Sequence, residues 1–272
     1  MSNYFKDEAI CLRVIDFSET SQVVTLFVRA AGLISLLAKG VRKIPVRSRT
    51  PLPEPLDLFS RGQVVFIPPR GSSQLGTLSA WQVFDHHPAL RRSLKALYSA
   101  QITAEVTLLL LKENDPHPEL FDQLRCALEV FPGPDSQRML LAYLKAALRL
   151  AGYQPRLDAC CVCSKPVSAS PALVFIPSLG GVSCQSCTRD GTAIKITPAL
   201  TLALDRIGSP KELAQTPALR PAKPQALYDA ARLLFAYIST LVERKLRTES
   251  LLKSIFNSQK DSSAKSELSS VK

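Results

Sequence analysis

Residues 23–38 read Val23-Val24-Thr25-Leu26-Phe27-Val28-Arg29-Ala30-Ala31-Gly32-Leu33-Ile34-Ser35-Leu36-Leu37-Ala38. Two runs rich in β-branched and apolar residues flank a short turn segment that ends in glycine, the pattern of two strands joined by a tight connection. Working outward, the same kind of run recurs at Ala9–Ile15, at Val64–Ile67 and at Leu75–Trp81, bounded by Arg61-Gly62 and Pro68-Pro69. Five short strands without intervening helices predict a small barrel over residues 8–84. That size suits an OB-fold, and an SH3-like barrel would give nearly the same pattern. Between the third and fourth strands, Gly40 to Pro55 holds four prolines and no apolar periodicity, and reads as a long loop.

Beyond Pro88 the apolar period changes from strand to helix. Leu90, Leu94, Leu97, Ile102, Val106 and Leu109 predict one helix; Pro118 and Pro134-Asp135 open two more, the last of which stops at Gly152. Ser209-Pro210-Lys211-Glu212 is a capping box. A long helix is expected from about Pro224 to Phe256, with Leu227, Ala231, Leu234, Ile238 and Leu241 on one face. Residues 257–272 are mostly Ser, Lys and acids, a composition that predicts a disordered tail.

The strongest chemical signal is Cys160-Cys161-Val162-Cys163 followed by Cys184-Gln185-Ser186-Cys187. Two C-x-x-C pairs separated by 20 residues match a four-thiolate zinc site, each pair wrapping a knuckle that aims two sulfurs at one tetrahedral ion. Cys160, Cys163, Cys184 and Cys187 are the expected ligands of one structural Zn²⁺ per chain, because a closed four-sulfur site leaves no open coordination position. Cys161 is the ambiguous neighbour. Ala172–Ile176 and Gly180–Ser183 read as a hairpin that returns the second knuckle to the first. Unmetallated thiols or two reversible disulfides are the plain alternative. Cys11 and Cys126, in apolar patterns, are expected to be small core residues.

Charge gives the second signal. The chain has 272 residues, 46% hydrophobic and 21% charged, with a formal net charge of +11, a balance that favours polyanionic partners. No acidic residue occurs from Thr20 to Pro53, while Arg29, Lys39, Arg42, Lys43, Arg47 and Arg49 do. Cations at a strand end and in the loop after it can follow a phosphate backbone, and Phe27, Phe59, Phe66 and Trp81 are candidates for base stacking or for the core. Arg91 and Arg92 are expected in the first turns of a helix, where they oppose its dipole, which favours a phosphate contact. Arg244, Lys245 and Arg247, late in the last helix, are expected to complement the dipole and need no partner.

Several classes are excluded or disfavoured. There is no G-x-x-x-x-G-K-[ST], G-x-G-x-x-G or G-x-S-x-G, and only three histidines, so the usual phosphate loops and nucleophile elbow are missing. His117-Pro118-Glu119 with one C-x-x-C would suit a zinc-dependent deaminase, but Ala159 stands where such a site has proline and the second C-x-x-C would be unexplained. No membrane span or signal peptide is legible, so a cytoplasmic protein is expected, and seven cysteines read as ligands or core residues in a reducing compartment.

With these parts in order, the chain resembles the RecO family of bacterial recombination and repair mediators. The resemblance is carried by Leu12-Arg13-Val14-Ile15-Asp16-Phe17-Ser18-Glu19-Thr20-Ser21 leading into Val24-Thr25-Leu26-Phe27, by Gly32-Leu33-Ile34 and by Ala38-Lys39-Gly40-Val41-Arg42-Lys43. Further carriers are Phe84-Asp85 to Leu90-Arg91, Pro118-Glu119-Leu120-Phe121, and Leu157-Asp158-Ala159-Cys160 through Phe175-Ile176-Pro177 to Gly180-Gly181-Val182-Ser183-Cys184. Val41 and Ser164 replace the Ala and Gly expected there, and Pro45 to Pro55 departs from the pattern.

The resemblance implies an α+β multidomain protein. It comprises an N-terminal OB-fold (1–84), an α-helical domain (85–256) with a four-cysteine zinc-finger insert (157–191), and the tail. It implies a non-enzymatic, nucleoid-associated protein that binds single- and double-stranded DNA and anneals strands. Its partners would be the acidic tail of single-stranded DNA-binding protein and RecR, in loading RecA on gapped DNA. Lys39, Arg42 and Lys43 fall at the family's basic segment; Arg47, Arg49, Arg91 and Arg92 are added from charge alone. A zinc-ribbon scaffold for protein partners, without annealing activity, is the alternative in another class.

Overall fold

The computed structural model describes residues 4–41, 56–69, 75–167, 172–188, 191, 193–197, 200–201, 204, 206–215 and 224–256. Strands β1 (Phe5–Asp16), β2 (Gln22–Val28), β3 (Gly32–Ala38), β4 (Arg61–Ile67) and β5 (Gly76–Asp85) form a closed barrel in the order β1-β2-β3-β5-β4, with β1 also pairing β4 and a parallel β3/β5 contact. This is OB-fold connectivity, and the strand order separates it from the SH3-like alternative. Strand alternation fills the barrel with Ala9, Cys11, Val24, Leu26, Ile34, Leu36, Val64, Phe66 and Trp81. Burial pushes the Cys11 thiol up to about 12, as befits a small core residue. Phe27, Phe59, Phe66 and Trp81 are all buried, which removes them as base-stacking surfaces.

The helical body consists of α1 (Leu94–Leu110), α2 (Pro118–Val130), α3 (Ser136–Leu150), α4 (Pro210–Gln215), α5 (Pro224–Leu241) and α6 (Leu251–Phe256). The predicted punctuation is realised at several ends. Gly152, at φ 83°, closes α3 while the Tyr153 amide donates to Leu148 O at 2.7 Å. At the start of α4 the Ser209 amide donates to Glu212 Oε2 (2.7 Å) and the Glu212 amide to Ser209 Oγ (3.3 Å), the two halves of a capping box. Central in this body, Tyr143 is fully buried, and its hydroxyl meets Thr107 Oγ1 at 2.5 Å.

Two helical expectations are corrected. The first helix does not run through residue 90: Pro88–Arg92 is a separate 3₁₀ turn, and extended Ser93 caps α1 by accepting from the Ala96 amide. Arg91 and Arg92 therefore sit in the last turn of a short element, and the argument that they oppose a helix dipole does not hold. The long C-terminal helix is broken. The Glu243 amide donates to Thr240 O, the Arg244 amide donates to Ser239 O, and Glu243 takes a left-handed φ of 52°, which together form a Schellman ending without glycine. Leu246 is then buried, and the Glu105 carboxylate accepts from the Arg247 amide (2.8 Å), the Thr248 amide (2.9 Å) and Thr248 Oγ1 (2.6 Å), a network no local sequence pattern announces.

The outer face of the barrel docks on the helices. Ile10, Phe27 and Leu33 alternate with the interior residues and join the helical core, with Phe27 edge-on to Phe121 at 5.6 Å. At the β2–β3 turn Gly32 adopts φ 77°, and a Cβ there would lie 2.1 Å from Asp115 O. Arg29 forks onto Asp122 (Nε to Oδ1 3.1 Å, Nη2 to Oδ2 3.2 Å), with Lys211 on the same carboxylate at 3.3 Å. Glu113 accepts from Ser35 Oγ at 3.0 Å.

Gly32→Ala meets both a left-handed backbone and a carbonyl in its path, and is expected to lower unfolding stability by at least about 2 kcal/mol in denaturant titration. The Arg29 and Lys211 partners hold the Asp122 carboxyl below its ordinary range, so its contribution is present above the unfolded carboxylate pKa of about 3.9 and lost as pH falls through the folded value. Asp122→Asn should therefore destabilise by up to about 1 kcal/mol at neutral pH, with the difference from the parent shrinking in thermal melts as pH falls below the unfolded carboxylate value of about 3.9.

Candidate metal centre and nucleic-acid surface

Four thiols converge in one place. After α3 the chain forms a small loop closed by a bridge between Ala159 and Pro166; the Cys160 amide donates to Lys165 O at 2.8 Å and the Ser164 amide to Cys160 O at 2.9 Å. The loop turns through Ser164 at φ 60°, a left-handed position that favours glycine, which is the physical reason glycine is expected there. The expected hairpin then forms from β6 (Leu173–Ile176) and β7 (Gly181–Cys184). A third strand, β8 (Ile194–Ile196), pairs with β6 beyond the predicted insert. Cys184 ends β7 and Cys187 ends the 3₁₀ turn that follows.

The sulfurs of Cys160, Cys163, Cys184 and Cys187 all lie within 4.8 Å of one another, and together they could hold a metal ion. Cys163 Sγ and Cys184 Sγ are 3.7 Å apart. The amides of Cys163 and Cys184 each point at Cys160 Sγ at 3.5 Å, the kind of donor that supports a ligating thiolate. Burial opposes charge on Cys160, yet these amides prevail and hold its pKa down to about 5. The Ser186 hydroxyl lowers Cys184, while Cys184 and Cys163 push Cys187 up to about 12. Sulfurs so close cannot all ionise without a cation among them, and a bound cation reverses that balance.

Cys161 stands outside the cluster: its amide donates to Val182 O at 2.7 Å, and burial raises its thiol pKa. His117 also lies outside, with Nε2 3.2 Å from Asp115 Oδ2 at the entry to α2. Among the described residues the metal group contains thiols only, so the mixed histidine and cysteine site of a deaminase is not assembled. Rather than hanging free, the hairpin packs Phe175 edge-on to Tyr237 of α5 at 5.6 Å, and Leu173, Val182 and Ile196 join the main core.

The basic residues divide by place. Lys39 is exposed one residue past β3. Arg42, Lys43, Arg47 and Arg49 lie outside the described residues, as does the 257–272 tail. Arg91 is exposed but tied, with Nη2 2.5 Å from Asp57 Oδ2 and Nη1 donating to His86 O; Arg92 is exposed beside it. Arg29 is committed to Asp122. Exposed aromatic surface, which sequence reasoning sought inside the strands, is instead supplied by Phe17 in the β1–β2 loop, by Phe84 in β5 and by Phe5 in β1.

Comparison with known proteins accords with this arrangement. The family model described as Recombination protein O N terminal matches residues 1–87, and Recombination protein O C terminal matches residues 91–250. The chain belongs to the RecO family. It is 33% identical over 216 residues to DNA repair protein RecO of Rhodopirellula baltica, covering 79% of this chain and 76% of that protein. It is 32% identical over 251 residues to DNA repair protein RecO of Anaeromyxobacter sp. (strain K), covering 90% and 94%. DNA repair protein RecO of Myxococcus xanthus is 29% identical over 253 residues, covering 90% and 95%. In this RecO family chain the OB-fold barrel, the helical body and the four-cysteine cluster are all present.

The geometry separates the fifth nearby thiol from the other four. Cys161→Ser should leave bound metal unchanged in elemental analysis, whereas Cys160→Ser and Cys184→Ser should each lose it. Ser164→Gly relieves a left-handed serine and is expected to leave metal content intact while changing unfolding stability by no more than about 1 kcal/mol, in the stabilising direction.

Proposed function

We propose that this chain is a non-enzymatic mediator of recombinational repair that binds single- and double-stranded DNA and anneals complementary strands. It would engage the acidic tail of single-stranded DNA-binding protein and act with RecR in loading RecA on gapped DNA. The observation that carries the reading is the OB-fold barrel with Lys39 at the open end of β3, in a chain whose relatives are DNA repair proteins. OB-folds take single strands on the β2–β3 face and adjoining loops. Residues 1–84 form the DNA-binding domain in this reading, and residues 85–256 the helical domain. Lys39, Arg42, Lys43, Arg47, Arg49, Arg91 and Arg92 contribute the positive field. It acts in the cytoplasm at the nucleoid; no helix among the described residues is long and apolar enough to cross a membrane.

Annealing breaks and forms no covalent bond. Two phosphate backbones must be neutralised enough to approach while base edges stay free, and Lys and Arg directed at phosphates do this without sequence preference. Zn²⁺ is the ion the cluster fits best: with Zn–S near 2.3 Å, tetrahedral sulfurs lie about 3.8 Å apart, and Cys163 and Cys184 are 3.7 Å apart. With all four positions taken by sulfur, the ion would clamp the 158–166 loop to the β6–β7 hairpin and supply no reactive site.

The test is annealing of two labelled complementary oligonucleotides across a salt series, with and without single-stranded DNA-binding protein. Annealing should be accelerated and should weaken with salt at about 0.7 log units per neutralised phosphate, and charge reversal at Lys39, Arg42 and Lys43 should abolish it. A protein that neither binds nor anneals DNA at low salt, yet retains a protein partner, would be a scaffold instead. Metal analysis should find about one zinc per chain.

A further inference from the structure

The docked helices leave only part of the OB face open, and what borders the open part is basic. Register places Arg13, Thr25 and Ser35 in one outward row of β1, β2 and β3, and Ile15, Val23 and Leu37 in the next. The row before them, Ile10, Phe27 and Leu33, is buried under the helices. Beyond the open rows, at the same end of the barrel, stand Phe17 and Lys39. Ile15 is 49% exposed and Phe17 65% exposed, large apolar side chains with no core to fill.

Where the barrel meets the helices this surface opens into a groove of about 480 Å³, lined by Arg13, Thr25 and Ser35 on one wall and by Arg244, Lys245 and Arg247 on the other. The break after α5 is what puts these three residues there; on an unbroken helix they would follow its axis. The groove also holds two carboxylates, Glu105, which accepts from the Arg247 and Thr248 backbone amides, and Glu113, which accepts from Ser35; their donors are neutral, so four cations face two anions and the groove stays net positive. Lys245 shares Glu249 at 3.5 Å, and among the described residues Arg13, Arg244 and Arg247 have no ion pair through their side chains. Asp16, the last residue of β1, and Glu19, in the β1–β2 loop, are exposed outside the groove.

We propose that this groove continues a single-stranded nucleic-acid track across the two domains, with bases against Phe17 and Ile15 and phosphates held by Arg13, Arg244 and Arg247. The inference rests on the DNA-binding reading above and extends it to residues of the helical domain. A nucleic acid strand fits better than an acidic peptide because the groove's cations adjoin an exposed aromatic and apolar surface, Phe17 and Ile15, that bases can cover and an acidic segment does not need. The surface runs from Phe17 along β1 through Ile15 to Arg13, four residues or about 13 Å, and then on between the basic walls of the groove. Stacking surface beside a row of cations suits a strand of bases and phosphates.

The experiment is fluorescence anisotropy of a labelled oligothymidylate with the full-length protein across a salt series, comparing the parent, Lys39→Glu, and the triple variant Arg13→Ala, Arg244→Ala, Arg247→Ala. The triple variant should bind roughly tenfold more weakly at low salt, and its salt slope should fall by about 2, from about 0.7 per lost phosphate contact. Its thermal midpoint and metal content should match the parent; should the triple variant misfold, Arg244→Gln alone serves, with a slope change of about 0.7. If Lys39→Glu weakens binding and the groove variants do not, the groove is overturned while the barrel reading stands. If the groove variants lose a labelled oligoglutamate peptide but keep oligothymidylate, the groove belongs to an acidic protein segment, and the proposal is overturned. A parent that binds no oligothymidylate at all overturns both readings together.

Discussion

The constraint on which the rest depends is the seating of the barrel on the helices at the β2–β3 turn. Gly32 comes so close to Asp115 that no side chain fits between them, Phe27 enters the helical core beside Phe121, and Arg29 forks onto Asp122. A barrel has two uses for the outward side of its strands, packing or binding, and this contact divides them. Phe27 and Leu33 are given to packing; Val23, Ser35 and Leu37 remain half-buried, and Thr25, itself buried, lines the groove. The same seating brings the turn after α5 opposite Arg13. Neither domain alone would present that pair of basic walls.

The four-cysteine cluster contributes in a different way. Its hairpin shares the main core through Leu173, Phe175, Val182 and Ile196, so burial already holds that sheet in place. Binding energy of an ion would go into the loop that carries Cys160 and Cys163, which is held by few backbone bonds and turns through an unfavourable Ser164. The thiol pKa values point the same way. Amides favour the thiolate at Cys160, while Cys184 and Cys163 oppose ionisation of Cys187, a repulsion that a bound cation would relieve.

Much of this was legible in the sequence because local pattern and tertiary structure agree. Short β-branched and apolar runs bounded by turn residues marked the strands at Ala9–Ile15, Val23–Val28 and Leu33–Ala38, Gly152 and the Ser209–Glu212 box marked helix ends, and the paired C-x-x-C spacing marked the thiols that do converge. The failures share a cause. The end of α5 has no glycine or proline and is fixed by Leu246 burial and by Glu105, 142 residues away from Arg247 in sequence. Charge alone could not tell Arg29, bound to Asp122, from an open cation, nor place Arg244 on a groove wall. Strand aromatics read as possible stacking surface are interior, and exposed Phe17 lies in a loop.

The most direct test of the account is amide hydrogen exchange of the full-length protein with and without oligothymidylate. Protection should rise in the β1–β2 loop around Phe17, at the end of β3 near Lys39, and in the 242–248 turn, while β6 and β7 stay unchanged. Protection confined to β6, β7 and the cysteine loops, or none anywhere at saturating DNA, would contradict it.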